Sequence, residues 1–187
     1  MIRAGALIEV CWIVLGLYWL YSMLGTKQVA VNESTGLRVF RFAMLLLVLA
    51  LFSGWVRIPV LETRFLPRRS EIVWLGVALT VAGVAVAIWA RWNLGRNWSD
   101  KVVLKVDHEL IRSGPYRYLR HPIYTGVLMA VAGTALKIGE WRGVVALVAL
   151  GTNYFVKAKR EEAILAANFG EAFAEHKRHT GFFLPGW

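Results

Sequence analysis

Long hydrophobic runs separated by short polar segments dominate the pattern along this chain. Residues 4–24, 37–56 and 72–89 each approach the roughly 20 residues that an α-helix needs to cross a bilayer core about 30 Å thick. Two shorter runs, residues 123–138 and 143–156, are separated by only a few residues and predict a helical hairpin. The pattern therefore predicts an all-α, polytopic integral membrane protein with about five transmembrane helices.

The organisation that follows is a three-helix anchor, residues 1–90, and a second region, residues 91–187, in one continuous domain. The two shorter runs are also compatible with re-entrant segments, but their polar flanks extend both and favour two full spans. The first run has no clear cleavage site and is followed by further spans, so we do not expect a signal peptide. Two polar segments, residues 91–121 and 157–187, flank the hairpin and hold the candidate functional residues.

Composition supports a membrane protein and excludes several other classes. Hydrophobic residues make up 57% of the chain and charged residues only 18%, below the roughly 25% of a soluble domain. The net charge of +10 alone suggests nucleic acid, but the basic residues lie between apolar runs, which is typical of charge beside a membrane. Most Lys and Arg fall on one side of the five-span topology, which predicts an external N-terminus and a cytoplasmic C-terminus.

The densest group of polar and aromatic side chains lies at the start of the fourth run. Arg120, His121 and Tyr124 surround Pro122, which suits the first turn of a helix because its missing N–H needs no partner there. The N–H groups that follow point out of the helix end and attract an anionic group. A lone His at a helix start is usually a cap, so the combination with Arg and Tyr is what favours a functional site.

Small residues continue this run at four-residue spacing. Gly126, Ala130 and Thr134 fall on one face of a helix. Such a face lets a second helix approach closely in a membrane. The spacing therefore predicts a tight helix–helix contact along the fourth run.

A charged segment, KAKREE at residues 157–162, follows the fifth run. One interpretation is a solvated helix end, since Lys157 and Glu161 are four residues apart and can form an ion pair within the helix. The other is that Glu161 turns inward to bind a cation or a pair of hydroxyl groups. The residues alone favour the first interpretation without excluding the second.

The remaining candidates carry weaker signals. An ionisable group within a span is a functional hypothesis by default, but Glu9 is near the helix start and can reach the interface. Cys11, the single cysteine, excludes an intramolecular disulfide and has no base near it in sequence, so packing is expected. His176 and His179 have a spacing known from metal sites, but no other His or Cys is near, and we expect no metal. No Walker loop or Rossmann fingerprint is present.

Two motifs and two residue pairs together resemble a known family. HELIRSGPY at residues 108–116 and RHPIYTG at residues 120–126, followed by Glu161-Glu162 and Phe169-Gly170, resemble the isoprenylcysteine carboxyl methyltransferase family. The wider group of integral membrane methyltransferases includes phospholipid N-methyltransferases. The resemblance covers residue 93 to the C-terminus and is specific in combination, whereas either motif alone is weak.

The resemblance implies S-adenosylmethionine as cofactor, bound by segments that face the cytoplasm. Arg120 and Lys157 match positions tied to substrate binding and catalysis. A lipidic or prenylated acceptor and membrane lipids are the implied partners, with no nucleic acid and no obligate protein partner. The positions that match the cofactor-binding residues of the family are His108, Glu109, Leu110, Ile111, Tyr116, His121, Pro122, Ile123, Tyr124 and Glu161.

Two departures from the family pattern leave the acceptor open. Lys157 stands where the family often has Arg, and lysine lacks the two-pronged grip on a carboxylate. Lys101 stands where the family often has a Gln that touches the cofactor. A prenylcysteine-like carboxylate is favoured, with a phospholipid amine or a small thiol as alternatives. Two other classes are an NADPH-dependent enzyme resembling sterol reductases and a membrane module without catalytic activity.

Overall fold

The computed structural model describes residues 2–23, 35–54, 57–95 and 110–186, and within these ranges the chain is helical and contains no β-strand. This agrees with the all-α prediction. A 3₁₀ turn, Gly114–Arg117, precedes the fourth helix. The α-helices are α1 (Ile2–Met23), α2 (Thr35–Ser53), α3 (Ser70–Leu94), α4 (Pro122–Ile138), α5 (Trp141–Phe169) and α6 (Glu171–Arg178).

The predicted hydrophobic runs coincide with the first five helices, with one large difference at the fifth. The run 143–156 predicts a short helix followed by a polar segment, whereas α5 continues to Phe169. The sequence KAKREEAILAANF of this continuation is rich in Ala, Lys, Glu and Leu, which are strong helix formers. The charged residues 157–162 therefore lie on the same helix as the apolar run that precedes them.

Two helices in the described part of the chain are long and apolar enough to cross a membrane. They are Arg3–Ser22, within α1, and Ser70–Leu94, which is α3. The apolar helix α4 has 17 residues and falls below that length. Five crossings and the orientation of the chain remain predictions.

Helices α3 and α4 make the closest helix–helix contact. A methyl group added to Gly83 would come within 3.0 Å of the backbone of α4, and one added to Gly126 would meet the backbone of α3 at Ala87. Thr80 lies in the same contact, and its hydroxyl donates to the carbonyls of Gly76 and Ala130 at 2.9 and 3.3 Å. The close approach predicted from the spacing of small residues in α4 is confirmed.

The loop that precedes α3 packs against the turn between α4 and α5, at the end of α4 opposite Pro122. Gly139 adopts a left-handed φ of 67° and ends α4. Its carbonyl accepts the backbone N–H groups of Phe65 and Leu66 at 3.1 and 3.3 Å. Glu140 accepts a hydrogen bond from Arg142 at 2.7 Å. These contacts fix the α4–α5 hairpin at the end opposite Pro122.

Candidate functional site

The candidate site lies where the 3₁₀ turn, the first turn of α4 and the second half of α5 meet. A buried apolar cluster joins these elements and consists of Ala90, Tyr116, Ile123, Tyr124 and Ala158. Trp19 from the last turns of α1 and Ile111 pack against it. Residues from α1, α3, the 3₁₀ turn, α4 and α5 therefore pack together around the candidate site.

Arg120, His121 and Glu162 form a buried polar network. The guanidinium Nε of Arg120 donates to Oε1 of Glu162 at 2.6 Å. Nε2 of His121 lies 3.4 Å from the same oxygen. The Glu162 side chain is 7% exposed and that of Arg120 is 11% exposed, so the ion pair is largely shielded from water.

The charge of Glu162 is strongly favoured by its neighbours. Burial alone opposes the ionised form, but hydrogen bonds from His121 and Arg120 and the Arg120 charge lower the pKa of Glu162 to about 2. Lys177 adds a further cation, with its Nζ 3.5 Å from Oε2 of Glu162. Glu162 is therefore a permanent anion at neutral pH and fixes Arg120 against α5.

The neighbouring carboxylate, Glu161, faces a second set of partners. The hydroxyl of Tyr124 donates to Oε1 of Glu161 at 2.6 Å. Nδ1 of His121 lies 3.7 Å from Oε2 of Glu161, so one imidazole stands between two carboxylates. The Glu161 side chain is 24% exposed and remains accessible to a ligand.

Lys157 and Tyr154 complete this side of the site. Nζ of Lys157 lies 3.9 Å from Oε1 of Glu161 and 5.3 Å from the centre of the Tyr124 ring. The Tyr154 ring stacks on Tyr124 with ring centres 4.6 Å apart. Glu161 thus contacts Lys157 within its own helix, as the four-residue spacing predicts, and Tyr124 on the neighbouring helix. The segment is not a solvated helix end, because Lys157 and Glu162 are buried. Binding of a ligand by Glu161 stays a prediction.

Residues 180–186, here called the C-terminal strap, bind back onto the site. The backbone N–H of Arg120 donates to the carbonyl of Gly181 at 2.9 Å, and the Gly181 N–H donates to Tyr118 at 3.0 Å. The Arg120 guanidinium also donates to the Thr180 carbonyl. Phe182 contacts the His121 ring edge-on, with centres 5.0 Å apart. The strap thereby holds both Arg120 and His121 in place.

A cavity of about 70 Å³ opens beside this network. One water needs roughly 10–15 Å³ on the same measure, so the cavity admits a group of several non-hydrogen atoms. Most of its wall is apolar, and burial raises the pKa of Tyr116, which keeps that phenol neutral. The lining residues are Leu94, Leu110, Ile111, Tyr116, Arg120, His121, Leu165, Phe173 and His176.

The structure brings together most of the residues that the sequence analysis singled out. Leu110, Ile111, Tyr116, Arg120 and His121 line the cavity. Pro122, Ile123 and Tyr124 are buried in the first turn of α4, and Lys157 and Glu161 face them from α5. His108, Glu109 and Lys101 lie outside the described residues.

Sequence reasoning gave no separate role to Glu162 or to the C-terminal strap. Adjacent residues on a helix point about 100° apart, so the pair Glu161-Glu162 contains two carboxylates with different surroundings. That pair was the available signal for Glu162. Phe182 and Phe183 follow Thr180 with no periodic pattern, and only the fold shows that they contact His121.

Comparisons with known proteins find relatives over most of the chain. Residues 72–172, more than half of the chain, match the family described as phospholipid methyltransferase. Protein-S-isoprenylcysteine O-methyltransferase of Mus musculus is 28% identical over 165 residues, which are 83% of this chain and 58% of that protein. The Dictyostelium discoideum protein of the same name is 25% identical over 166 residues, or 87% of this chain and 66% of that one.

A solved structure shares the fold. It is described as the eukaryotic intramembrane Ras methyltransferase isoprenylcysteine carboxyl methyltransferase; it superposes with a TM-score of 0.56 at 19% identity, over 83% of this chain and 54% of that one. The present chain thus spans little more than half the length of the mouse relative and of the solved structure. The resemblance drawn from the two motifs is confirmed, and the chain belongs to the phospholipid methyltransferase family.

Proposed function

We propose that this protein is an integral membrane, S-adenosylmethionine-dependent methyltransferase that methylates a lipidic or prenylcysteine-like carboxylate. The main support is the joint contact of Tyr124, His121 and Arg120 with the Glu161-Glu162 pair, beside a cavity and within the family match. The mouse, Dictyostelium and solved-structure relatives are each named as methyltransferases. Their names make the isoprenylcysteine carboxylate the favoured acceptor.

The residues present fit the proposed cofactor. The apolar wall around Leu110, Ile111 and Tyr116 suits the adenine base, which is planar and uncharged. Glu161 is the carboxylate that retains exposure, and it suits the positively charged amino group of the methionine part. When bound, S-adenosylmethionine supplies a methyl group that its sulfonium already activates. His121, Pro122, Ile123 and Tyr124 would form the turn around it. The family resemblance adds His108 and Glu109, which lie outside the described residues, as further cofactor-binding positions.

The protein's own tasks are then alignment of the acceptor and exclusion of water. Alignment of this kind lowers a barrier by roughly 7–11 kcal/mol in favourable cases. A carboxylate acceptor needs no general base, but it needs a cation that holds it without overstabilising its ground state. Lys157, whose compact ammonium faces Tyr124 and Glu161, is our candidate for this contact. Arg120, held by Glu162 and the Thr180 carbonyl, supports the same region from the α4 side.

We further propose that α1 to α5 all cross the membrane, with the site at the cytoplasmic face. Helices α1 and α3 have the length for this, and α5 has 29 residues, of which the first half carries the apolar run. The excess of Lys and Arg in the segments around the site supports a cytoplasmic position. A lipidic acceptor would then reach Lys157 sideways from the bilayer, while the soluble cofactor enters from the aqueous side.

The family description also supports a second candidate, a phospholipid amine acceptor. An amine must lose a proton, and His121 or Glu161 would be the base. Nδ1 of His121 and Oε2 of Glu161 lie 3.7 Å apart, so both candidates face the same part of the site. A small thiol would need the same step.

The test is methyl transfer by the detergent-purified full-length chain. Labelled S-adenosylmethionine is incubated with a farnesylcysteine analogue or with a phospholipid extract, and the label in each product is counted. Base-labile label in the cysteine analogue supports the carboxyl ester, and label in the phospholipid fraction would replace it with the amine. Thermal shifts with S-adenosylmethionine and with NADPH form the companion measurement. A shift with NADPH alone would contradict the proposal, and no shift with either would favour a module without catalytic activity.

A further inference from the structure

His176 lines the cavity and has no role in the function proposed so far. It lies on α6, and the residue is 8% exposed. Within the part of the chain that the structure describes, its imidazole makes no hydrogen bond and no ion pair. Neither ring nitrogen is among the fully buried polar atoms that lack a partner in the described residues, so both keep contact with open space. An imidazole that lines a cavity with accessible nitrogens is placed to bind a ligand or a water.

The surroundings of His176 keep the imidazole neutral. Burial lowers the pKa of His176, and the nearby cations Arg112 and Arg120 lower it further. A neutral imidazole offers one N–H donor and one nitrogen acceptor. It is therefore suited to an uncharged partner that itself carries both kinds of group.

The other residues that line the cavity indicate which kind of ligand it can bind. Leu94, Leu165 and Phe173 are apolar, as are Leu110 and Ile111. The cation that reaches the cavity, Arg120, is already bound to Glu162. A wall of this composition disfavours an anionic ligand and favours a flat, uncharged ring with polar atoms on its edge.

Helix α6 is attached firmly enough to hold such a contact. Arg112 donates to the carbonyl of Ala172, and Arg120 donates to the carbonyls of Lys177 and Thr180. The hydroxyl of Thr180 donates to the His176 carbonyl at 2.6 Å. The imidazole is thus presented by a helix that the site residues themselves position.

We propose that His176 contacts the cofactor directly and determines its specificity, by hydrogen bonding to the edge of the purine ring in the cavity. The inference rests on the proposed function, since it takes S-adenosylmethionine as the ligand. The inference gives α6 a role in recognition of the purine base. The family match ends at residue 172, so most of α6 lies beyond it. An uncharged purine whose edge has donors and acceptors exchanged would then bind less well.

The experiment measures affinity rather than turnover. Detergent-purified full-length protein is titrated calorimetrically with S-adenosylhomocysteine and with S-inosylhomocysteine, in which a carbonyl and a ring N–H replace the adenine amino group and ring nitrogen. The variants are His176→Phe, which removes the polar atoms, and His176→Gln, which keeps a donor and an acceptor. His179→Ala is the matched control, because that side chain is 73% exposed three residues further on.

We expect the wild type to prefer the adenine compound. One neutral hydrogen bond is worth about 0.5–1.5 kcal/mol, so His176→Phe should lose about 2-fold to 12-fold in affinity for it. The affinity of this variant for the inosine compound should change little, so that the preference disappears. His176→Gln should retain part of the preference, and His179→Ala should behave as the wild type.

Other outcomes separate the failure of this inference from that of the proposed function. A parallel loss of both affinities in His176→Phe would show a purely structural role and overturn the inference. An unchanged preference in that variant, or no preference in the wild type, would overturn it as well. If the wild type bound neither compound, the proposed function itself would fail, and the base-recognition role with it.

Discussion

The hydroxyl of Tyr124 on α4 donates to Oε1 of Glu161 on α5 at 2.6 Å. This contact joins the first turn of one helix to the sixth turn of the next, 37 residues later. The loop contacts at Gly139 fix the opposite end of the same helix pair. The hairpin is therefore held at both ends, and the polar end carries the candidate site.

Removal of the Tyr124 hydroxyl tests whether this contact orients Glu161 for the cofactor. In Tyr124→Phe the ring and its stacking on Tyr154 remain, while Glu161 loses its short hydrogen bond. A hydrogen bond to a charged group is worth about 1.5–3 kcal/mol, so the affinity for S-adenosylhomocysteine should fall at least tenfold. Tyr118→Phe, at a side chain on the surface, is the control for calorimetry. Equal affinities in the two variants would show that the Tyr124 hydroxyl does not orient Glu161 for cofactor binding.

Loss of the Glu162 carboxylate should lower the stability of the folded protein. In Glu162→Ala the buried guanidinium of Arg120 keeps no acidic partner among the contacts described, and breaking a buried pair costs about 3–5 kcal/mol. We expect a clear fall in the melting temperature of the purified protein. Glu175→Ala, which removes exposed pairs with Arg178 and His179, should change it little. A comparable melting temperature in both variants would contradict the structural role of Glu162.

The pKa of Glu162 gives this contribution a defined pH dependence. Its folded pKa is about 2, below the ordinary 4.5, so its stabilisation is fully present above about pH 4.5 and is lost as the pH falls towards 2. The melting temperature of the wild type should therefore fall faster than that of Glu162→Gln between pH 5 and pH 3, since the amide does not titrate. From the two pKa values, about 2 kcal/mol of this contribution is lost between pH 5 and pH 3, out of about 3 kcal/mol in all. Parallel curves for the two proteins would show that Glu162 carries an ordinary pKa.

Lys157 should separate acceptor binding from cofactor binding. Lys157→Ala removes the cation proposed to hold the acceptor carboxylate, so KM for a farnesylcysteine analogue should rise at least tenfold. Affinity for S-adenosylhomocysteine should change less than threefold, because Glu161 and Tyr124 remain bonded to each other. Lys157→Arg, which restores a cation, should recover part of the loss. A fall in cofactor affinity with an unchanged KM would reassign Lys157 to the cofactor.

The contact between α3 and α4 predicts a stability effect at one glycine. In Gly126→Ala the new methyl group meets the backbone at Ala87, where neither helix can yield without moving the other. Overpacking of this kind costs about 1–3 kcal/mol, so the melting temperature should fall. Gly16→Ala is the control, because no heavy atom lies within 4 Å of a methyl group at that position. An unaffected Gly126→Ala protein would show that the helices are further apart than the structure places them.

The local patterns of the sequence predict the helices and part of the site. Hydrophobic runs locate α1 to α5, and four-residue spacing predicts both the glycine contact at Gly126 and the pairing of Lys157 with Glu161. Pro122 correctly marks the first turn of α4. These features depend on neighbours within one or two helical turns, which is the range over which sequence periodicity carries information.

The remaining features depend on contacts between residues far apart in the sequence. The network of Arg120 with Glu162 and Thr180 spans 42 and 60 residues, and no period relates these positions. The sequence patterns extend the fifth helix only as far as the Lys157–Glu161 pair and do not predict its continuation to Phe169, because the hydrophobic run ends at residue 156. Propensity favours helix there despite the polar composition, and tertiary contacts then bury Glu162.

The unbroken course of α5 has a mechanical consequence. Its 29 residues extend about 44 Å at 1.5 Å per residue, from the Gly139 turn past Glu162. Lys157, Glu161 and Glu162 are mounted on one stiff rod whose other half is apolar. In the membrane-crossing arrangement proposed above, a tilt of the apolar half would move all three charged side chains together. In that proposed arrangement, the thickness of the surrounding lipid or detergent would act on the positions of these charges.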